Sequence, residues 1–347
     1  MPSSISNSND RLKHGTPRRV WFTCISVAIL VLLSIEGFWR FSGYRPTLID
    51  DWSLWCTQRD QLETADNSTV VLLGHSRMHQ SFVPSQFKND APDREFLQLA
   101  IFNAEPLVCL QDIALNTQFA GTIVCTFLEY SLLSDAWLPT EREPYRTGLV
   151  NYYHQDWGPK LKIDRWFSNL IQSSSVLSSP ELAPHEAFPD IVRGEWPPQW
   201  VWTNIDRTQR VDYRGIDFLE EYKKIQLSKL KKIIEKHKAY PSYENWPDLD
   251  ALKKLDGFVQ RIQSRGGKVL FIRPTTSGDF HQEVIKSFPR ERFWDVFATN
   301  TSAQTIHFED IPELASFECA DGSHLFHDDA KTFTSVLVRE LKQRDML

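Results

Sequence analysis

Two short segments at opposite ends of the chain carry residue types that together could make a nucleophile. Near the beginning, Gly74-His75-Ser76-Arg77 follows the apolar run Val70-Val71-Leu72-Leu73, which reads as a buried parallel strand delivering a hydroxyl at its carboxyl end. Near the end, Asp321-Gly322-Ser323-His324 precedes a stretch in which Ala330, Phe333, Leu337 and Leu341 recur with helical spacing. A serine hydroxyl is a weak nucleophile until a neighbouring base accepts its proton, and a carboxylate on the far side of an imidazole orients that base. Either segment alone is unremarkable, since Gly and Ser end ordinary strands and Asp and His are common. The combination carries the weight: the serine closes the first expected strand, and Asp-x-x-His opens the last expected helix.

In this arrangement the sequence resembles the SGNH (GDSL-like) hydrolase superfamily, with Gly74-His75-Ser76 and Asp321-Gly322-Ser323-His324 as the matching residues. The wording of Leu73-Gly74-His75-Ser76-Arg77 and of Leu99-Ala100-Ile101-Phe102-Asn103-Ala104-Glu105-Pro106 looks most like a membrane-anchored bacterial branch related to alginate O-acetylation proteins. The resemblance covers residues 66 to 130 and 266 to 343. It implies a flavodoxin-like, doubly wound parallel sheet, with Ser76 as nucleophile, His324 as base and Asp321 as its support. It also implies an acyl ester of a cell-surface polysaccharide as substrate, by hydrolysis or O-acyl transfer, with no cofactor. The competing expectation is a non-catalytic module that binds glycan or scaffolds a membrane acyltransferase.

An oxyanion needs hydrogen-bond donors. The resemblance points to the backbone N–H of Ser76 and to the loop after the second strand, where Asn103 stands; in that loop Asn103 could equally be a turn former. A third donor in the family is an Asn after the third strand, but here the segment reads Phe127-Leu128-Glu129-Tyr130. An ionised Glu129 would repel an oxyanion, so pairing with Arg77 or Arg273 is expected instead. Arg77 and His75 are the remaining candidates for substrate contact, although a loop histidine is ordinarily polar surface.

The elements that must position these residues follow from apolar patterning. Strands are expected at Val70–Leu73, Phe96–Leu99, Thr122–Leu128, Lys268–Ile272 and Thr305–Phe308, separated by helix-length segments, which predicts an α/β fold. Pro106 suits the first turn of a helix reaching Gln118, and Leu252, Leu255, Val259 and Ile262 form a stripe ended by Gly266-Gly267. Residues 131 to 246 read as a helical insertion, carrying seven of the chain's twelve Trp: Trp137, Trp157, Trp166, Trp196, Trp200, Trp202 and Trp246. Those rings are expected to form the insertion's own small core, with stacking on sugars as the alternative. A long helix from Gly215 to Lys238 is expected to bury Leu227, Leu230, Ile233 and Ile234. Its lysines, at 223, 224, 229, 231, 232 and 236, then make a solvated face or attract an acidic glycan.

The amino-terminal segment sets the location. Residues 1 to 19 hold Arg11, Lys13, Arg18 and Arg19 and read as a cytoplasmic tail; residues 20 to 39, apolar apart from Glu36 and flanked by Trp21 and Trp39, read as a single membrane span. Residues 40 to 347 are then expected outside the cytoplasm. A cleaved signal peptide or a core helix competes with this reading. The net charge of -6 argues against nucleic acid as a partner. Cys56, Cys109, Cys125 and Cys319 could pair or remain free, and neither Cys nor His shows metal-ligand spacing.

Overall fold

The strands expected from the short apolar runs pair into one five-stranded, all-parallel sheet. They are β1 (Thr69–Leu73), β2 (Glu95–Gln98), β3 (Thr122–Thr126), β6 (Lys268–Arg273) and β7 (Gln304–His307), in the order β2-β1-β3-β6-β7. The computed structural model describes residues 16–102, 104–138, 145–183, 192–195, 199–216 and 218–347. Every residue of β1 and β3 is buried, as a parallel strand covered on both faces requires. Side chains alternate between the faces. Val71, Leu73 and Ile123 pack with Leu107, Val259 and Ile262 on one side; Val70, Leu72 and Val124 pack with Met78, Phe87, Phe333 and Leu337 on the other. Helices Pro106–Asn116 and Leu249–Gln263 thus cover one face, and Ser76–Ser81, Pro84–Asp90 and His327–Gln343 the opposite one.

The third strand ends two residues before its expected limit, and Glu129–Leu132 forms a 3₁₀ turn. Phe127 leaves the ladder to pack edge-on against Phe271 and Phe297, 5.5 and 5.4 Å between ring centroids. The insertion is not purely helical. It contains helices Gly148–Gln155, Pro159–Ser174 and Leu219–Lys238 and an antiparallel pair, β4 (Val201–Thr203) with β5 (Gln209–Val211). Its described tryptophans do not share one separate core, although Trp200 packs against a small cluster of Val211, Tyr213 and Ile216 within the insertion. Trp137, Trp157 and Trp246 join the main core with the sheet and helix Leu249–Gln263, whereas Trp166 is exposed and Trp196 lies outside the described residues. All five cysteines are free.

The chain divides into two compact units: Met1–Pro46 with Ser174–Pro197, and Thr47–Ser173 with Pro198–Leu347. In the smaller unit the helix Thr16–Phe41 is mostly apolar and is exposed from Arg18 to Ile35. Its stretch Arg18–Phe41 is the one helix among the described residues long and apolar enough to cross a membrane. Glu36 does not break it. Its carboxylate accepts hydrogen bonds from the backbone N–H groups of Val176 (2.9 Å) and Leu177 (3.2 Å) and from the Ser175 hydroxyl (2.8 Å). Arg40 donates to the carbonyl of Ser174 at 2.8 Å, and Trp39, Tyr44, Val176 and Leu182 close a small apolar cluster.

Candidate active site

The serine is set by a glycine that cannot be replaced. Gly74 leaves β1 with φ +148°, and a Cβ there would lie 2.0 Å from Oγ1 of Thr126, at the end of the neighbouring strand β3. This close approach turns the chain so that His75 precedes, and Ser76 begins, the helix Ser76–Ser81 at the carboxyl end of the sheet. At the first helical position a backbone N–H has no acceptor within its own helix.

The histidine is held by a loop fastened at several points. Gly322 has φ +89°, and a Cβ there would meet Phe280 at 2.6 Å, so only glycine fits between Asp321 and Ser323. Ala320 N–H donates to the carbonyl of His324 at 2.7 Å, and Ser277, beyond β6, donates its N–H to the carbonyl of Gly322 at 3.0 Å. Oδ1 of Asp321 accepts the N–H groups of Ser323 (2.9 Å) and His324 (2.8 Å), which fixes its carboxylate plane.

These two loops bring the three expected residues into one series. Ser76 Oγ lies 2.8 Å from His324 Nε2, and His324 Nδ1 lies 2.8 Å from Asp321 Oδ2. Asp321 is 2 % exposed. Burial alone would raise its pKa, but His324 and the two amide donors outweigh it and hold the carboxyl well below the usual carboxylate range. An ionised Asp321 beside Nδ1 selects the tautomer that leaves Nε2 free to accept the serine proton.

Ser76 and His324 open onto a cavity of about 900 Å³, also lined by His75, Arg77, Phe102, Ala104 and Glu105 and, from the insertion, by Tyr222, Lys229, Ile233 and Lys236. Asn103 falls outside the described residues; its neighbours Phe102 and Ala104 border the cavity. Two of the seven lysines of helix Leu219–Lys238, Lys229 and Lys236, reach this cavity. Ile233, expected inward, is exposed and lines the cavity instead.

His75 is not a surface residue. It is buried, its Nε2 is 3.3 Å from Ser131 Oγ, and burial, with help from the Arg77 charge, lowers its pKa to about 3, leaving a neutral ring. Glu129 pairs with Arg273, whose Nε donates to Oε1 at 3.0 Å, while the same guanidinium donates to the carbonyl of Pro274 and to Thr276 Oγ1. Both partners are buried, and neither lines the cavity. Arg77 is therefore left for the site. It is 8 % exposed, its guanidinium lies 5.6 Å from the ring of Phe280, and its Nε has no hydrogen-bond partner.

Two contributors escape a reading of the sequence. Tyr213, in the insertion just after β5, stacks on His324 with centroids 6.1 Å apart. Glu105 turns into the cavity with Oε2 buried and unpartnered, and burial raises its pKa to about 7, opposed by a hydrogen bond from Ser131. Tyr213 belongs to no motif. Glu105 precedes a helix-starting proline and reads as simple punctuation.

No protein-family model matches this sequence, and no curated protein matches it either. Among the described residues no group of three or more His, Cys, Asp or Glu is placed to hold a metal ion.

Proposed function

We propose that this chain is a membrane-anchored serine enzyme of the SGNH type that cleaves or transfers an acyl ester of a cell-surface polysaccharide outside the cytoplasm. The observation that carries the reading is the continuous series Ser76 Oγ to His324 Nε2 to Asp321 Oδ2 at the mouth of one cavity. The strand order supports the fold assignment: numbering only the sheet strands gives 2-1-3-4-5, the flavodoxin-like order, with the site at the carboxyl ends of the strands.

In this mechanism Ser76 Oγ attacks the ester carbonyl while His324 Nε2 takes the hydroxyl proton, and Asp321 stabilises the imidazolium. Collapse of the tetrahedral intermediate breaks the ester C–O bond. The departing alkoxide takes its proton from His324, and the acyl group remains on Ser76. Water or a sugar hydroxyl then gives its proton to His324 and attacks the acyl carbonyl; collapse breaks the C–Oγ bond, and Ser76 Oγ recovers its proton from His324. The Ser76 backbone N–H is the donor we assign to the oxyanion, with Arg77, whose side chain borders the cavity, assigned to supply positive charge beside it. His75, neutral and buried, and Asn103 are assigned to substrate contact.

The second reading is a non-catalytic glycan-binding or scaffold module working with a membrane acyltransferase, favoured by Glu129 at the place of the missing Asn. A fluorophosphonate probe separates the two. Covalent labelling at Ser76, abolished in Ser76→Ala, supports the enzyme; a folded chain that takes up no label at Ser76 supports the scaffold.

The span is read with its amino-terminal flank in the cytoplasm, because Arg11, Lys13, Arg18 and Arg19 all precede it.

A further inference from the structure

The helix Pro159–Ser174 is turned inside out for a water-soluble surface. Ile163, Trp166, Phe167 and Ile171 are 58, 60, 53 and 57 % exposed, and their spacing of three, one and four residues sets them on one face. The residue buried on the opposite face is an arginine. Arg165 donates to Asp51 Oδ1 (2.9 Å), to the carbonyl of Ile49 (3.3 Å) and to Asn169 Oδ1 (2.6 Å). Arg165, with the half-buried Leu161 against the main core, holds the helix inward, and its wider apolar side faces outward, unlike an ordinary amphipathic surface helix. A contiguous outward stripe with tryptophan on it marks a face that something apolar covers.

Chain continuity identifies the cover. Ser174, the last residue of this helix, accepts the hydrogen bond from Arg40 in the final turn of the apolar helix Thr16–Phe41, and the three residues after it are held by Glu36 of that same helix. The stripe therefore ends at Ile171, three residues before Ser174, where a segment bonded to the carboxyl end of the span begins and the chain leaves the bilayer. Trp166 and Phe167, edge-on at 4.8 Å, are residue types suited to the headgroup boundary. We propose that helix Pro159–Ser174 lies in the bilayer surface with Ile163, Trp166, Phe167 and Ile171 among the lipid headgroups and upper acyl chains, a second membrane attachment beside the span. The inference rests on the reading of Arg18–Phe41 as a membrane span.

The test uses the full chain, Cys24→Ser, reconstituted in vesicles of phosphatidylcholine and phosphatidylglycerol. A nitroxide is placed in turn at Ile29→Cys, Phe167→Cys, Ile171→Cys and Lys254→Cys, all exposed positions. Power saturation then compares collisions with oxygen, which partitions into lipid, and with a water-soluble nickel chelate. Position 29 should favour oxygen strongly, positions 167 and 171 should favour oxygen at shallow depth, and position 254 should favour nickel. Nickel access at 167 and 171 equal to that at 254, with position 29 still in lipid, overturns the proposal and leaves the span standing. Protection of 167 and 171 from both reagents overturns it in favour of a protein partner, a second copy included. Nickel access at position 29 overturns the span and this proposal with it.

Discussion

The ring of Tyr213 lies over the imidazole of His324, with planes 27° apart, and its hydroxyl donates to Gln80 Oε1 at 2.6 Å. The insertion thereby walls one side of the base that the last loop of the sheet domain supplies. Tyr213→Phe keeps the ring and loses one hydrogen bond, so it should cost about 1 kcal/mol of stability and leave the rate close to that of the parent. Tyr213→Ala removes the wall. A freed imidazole should lower kcat/KM by up to about 100-fold, read with an activated ester after circular dichroism has confirmed folding.

Asp321 is buried and fully hydrogen-bonded, so its loss should act on the base and not on the loop. Asp321→Asn keeps the shape, loses the charge beside Nδ1, and should lower kcat by about 10³ to 10⁴. Ser76→Ala should take up no fluorophosphonate, whereas Asp321→Asn should still be labelled slowly. Labelling of Asp321→Asn at the parent rate would remove Asp321 from the mechanism.

The Glu129–Arg273 pair should report on stability more than on catalysis. Both groups are out of water at 3.0 Å separation, so Arg273→Met strands a buried carboxylate and should cost about 3–5 kcal/mol. Glu129→Gln combined with Arg273→Met should recover part of that loss. Urea denaturation of the two singles and the double gives the coupling; strict additivity would contradict an interacting pair.

The apolar periodicity made the five strands and their separation by helices legible, because a strand buried on both faces must be written in apolar residues. The glycines of Gly74-His75-Ser76 and Asp321-Gly322-Ser323-His324 read in sequence as ordinary turn residues; the close approach of Thr126 at Gly74 and the positive φ of Gly322 depend on how the strands and loops pack. Tyr213 was not legible, because its place over His324 depends on how an insertion with no repeating pattern folds back on the sheet. His75, expected at the surface, is buried with its ring against Ser131 beyond the end of the neighbouring strand β3, over fifty residues away. The outward stripe of Pro159–Ser174 has the periodicity of any amphipathic helix, and sequence alone does not say which face packs.

Stability should rise with pH between about 4.5 and 6. His75, His79 and His307 are buried, and that burial, aided by nearby arginines, lowers their pKa values to about 3, 4 and 2. Each ring stays neutral in the fold while the unfolded chain, near 6.5, takes up a proton as pH falls. The stability they contribute is therefore complete above about 6.5 and is lost on acidification. Glu105, raised to about 7, works in the opposite sense over the same interval, because its folded form keeps a proton that the unfolded chain releases. For these four groups alone, three protons against one leave a net slope of about 2.7 kcal/mol per pH unit, and His237, His281 and His327, also lowered by burial, add to it in the same sense. Urea midpoints at pH 4.5 and 6 check the sign, and Glu105→Gln should steepen the slope.

The central claim is that Ser76 carries an acyl group during turnover. Full-length protein mixed rapidly with 4-nitrophenyl acetate should release a burst of nitrophenolate stoichiometric with the enzyme. The quenched protein should carry one acetyl group on the peptide containing Ser76. Ser76→Ala should give neither. A folded parent protein that releases no burst and carries no acetyl group at Ser76 would contradict the account.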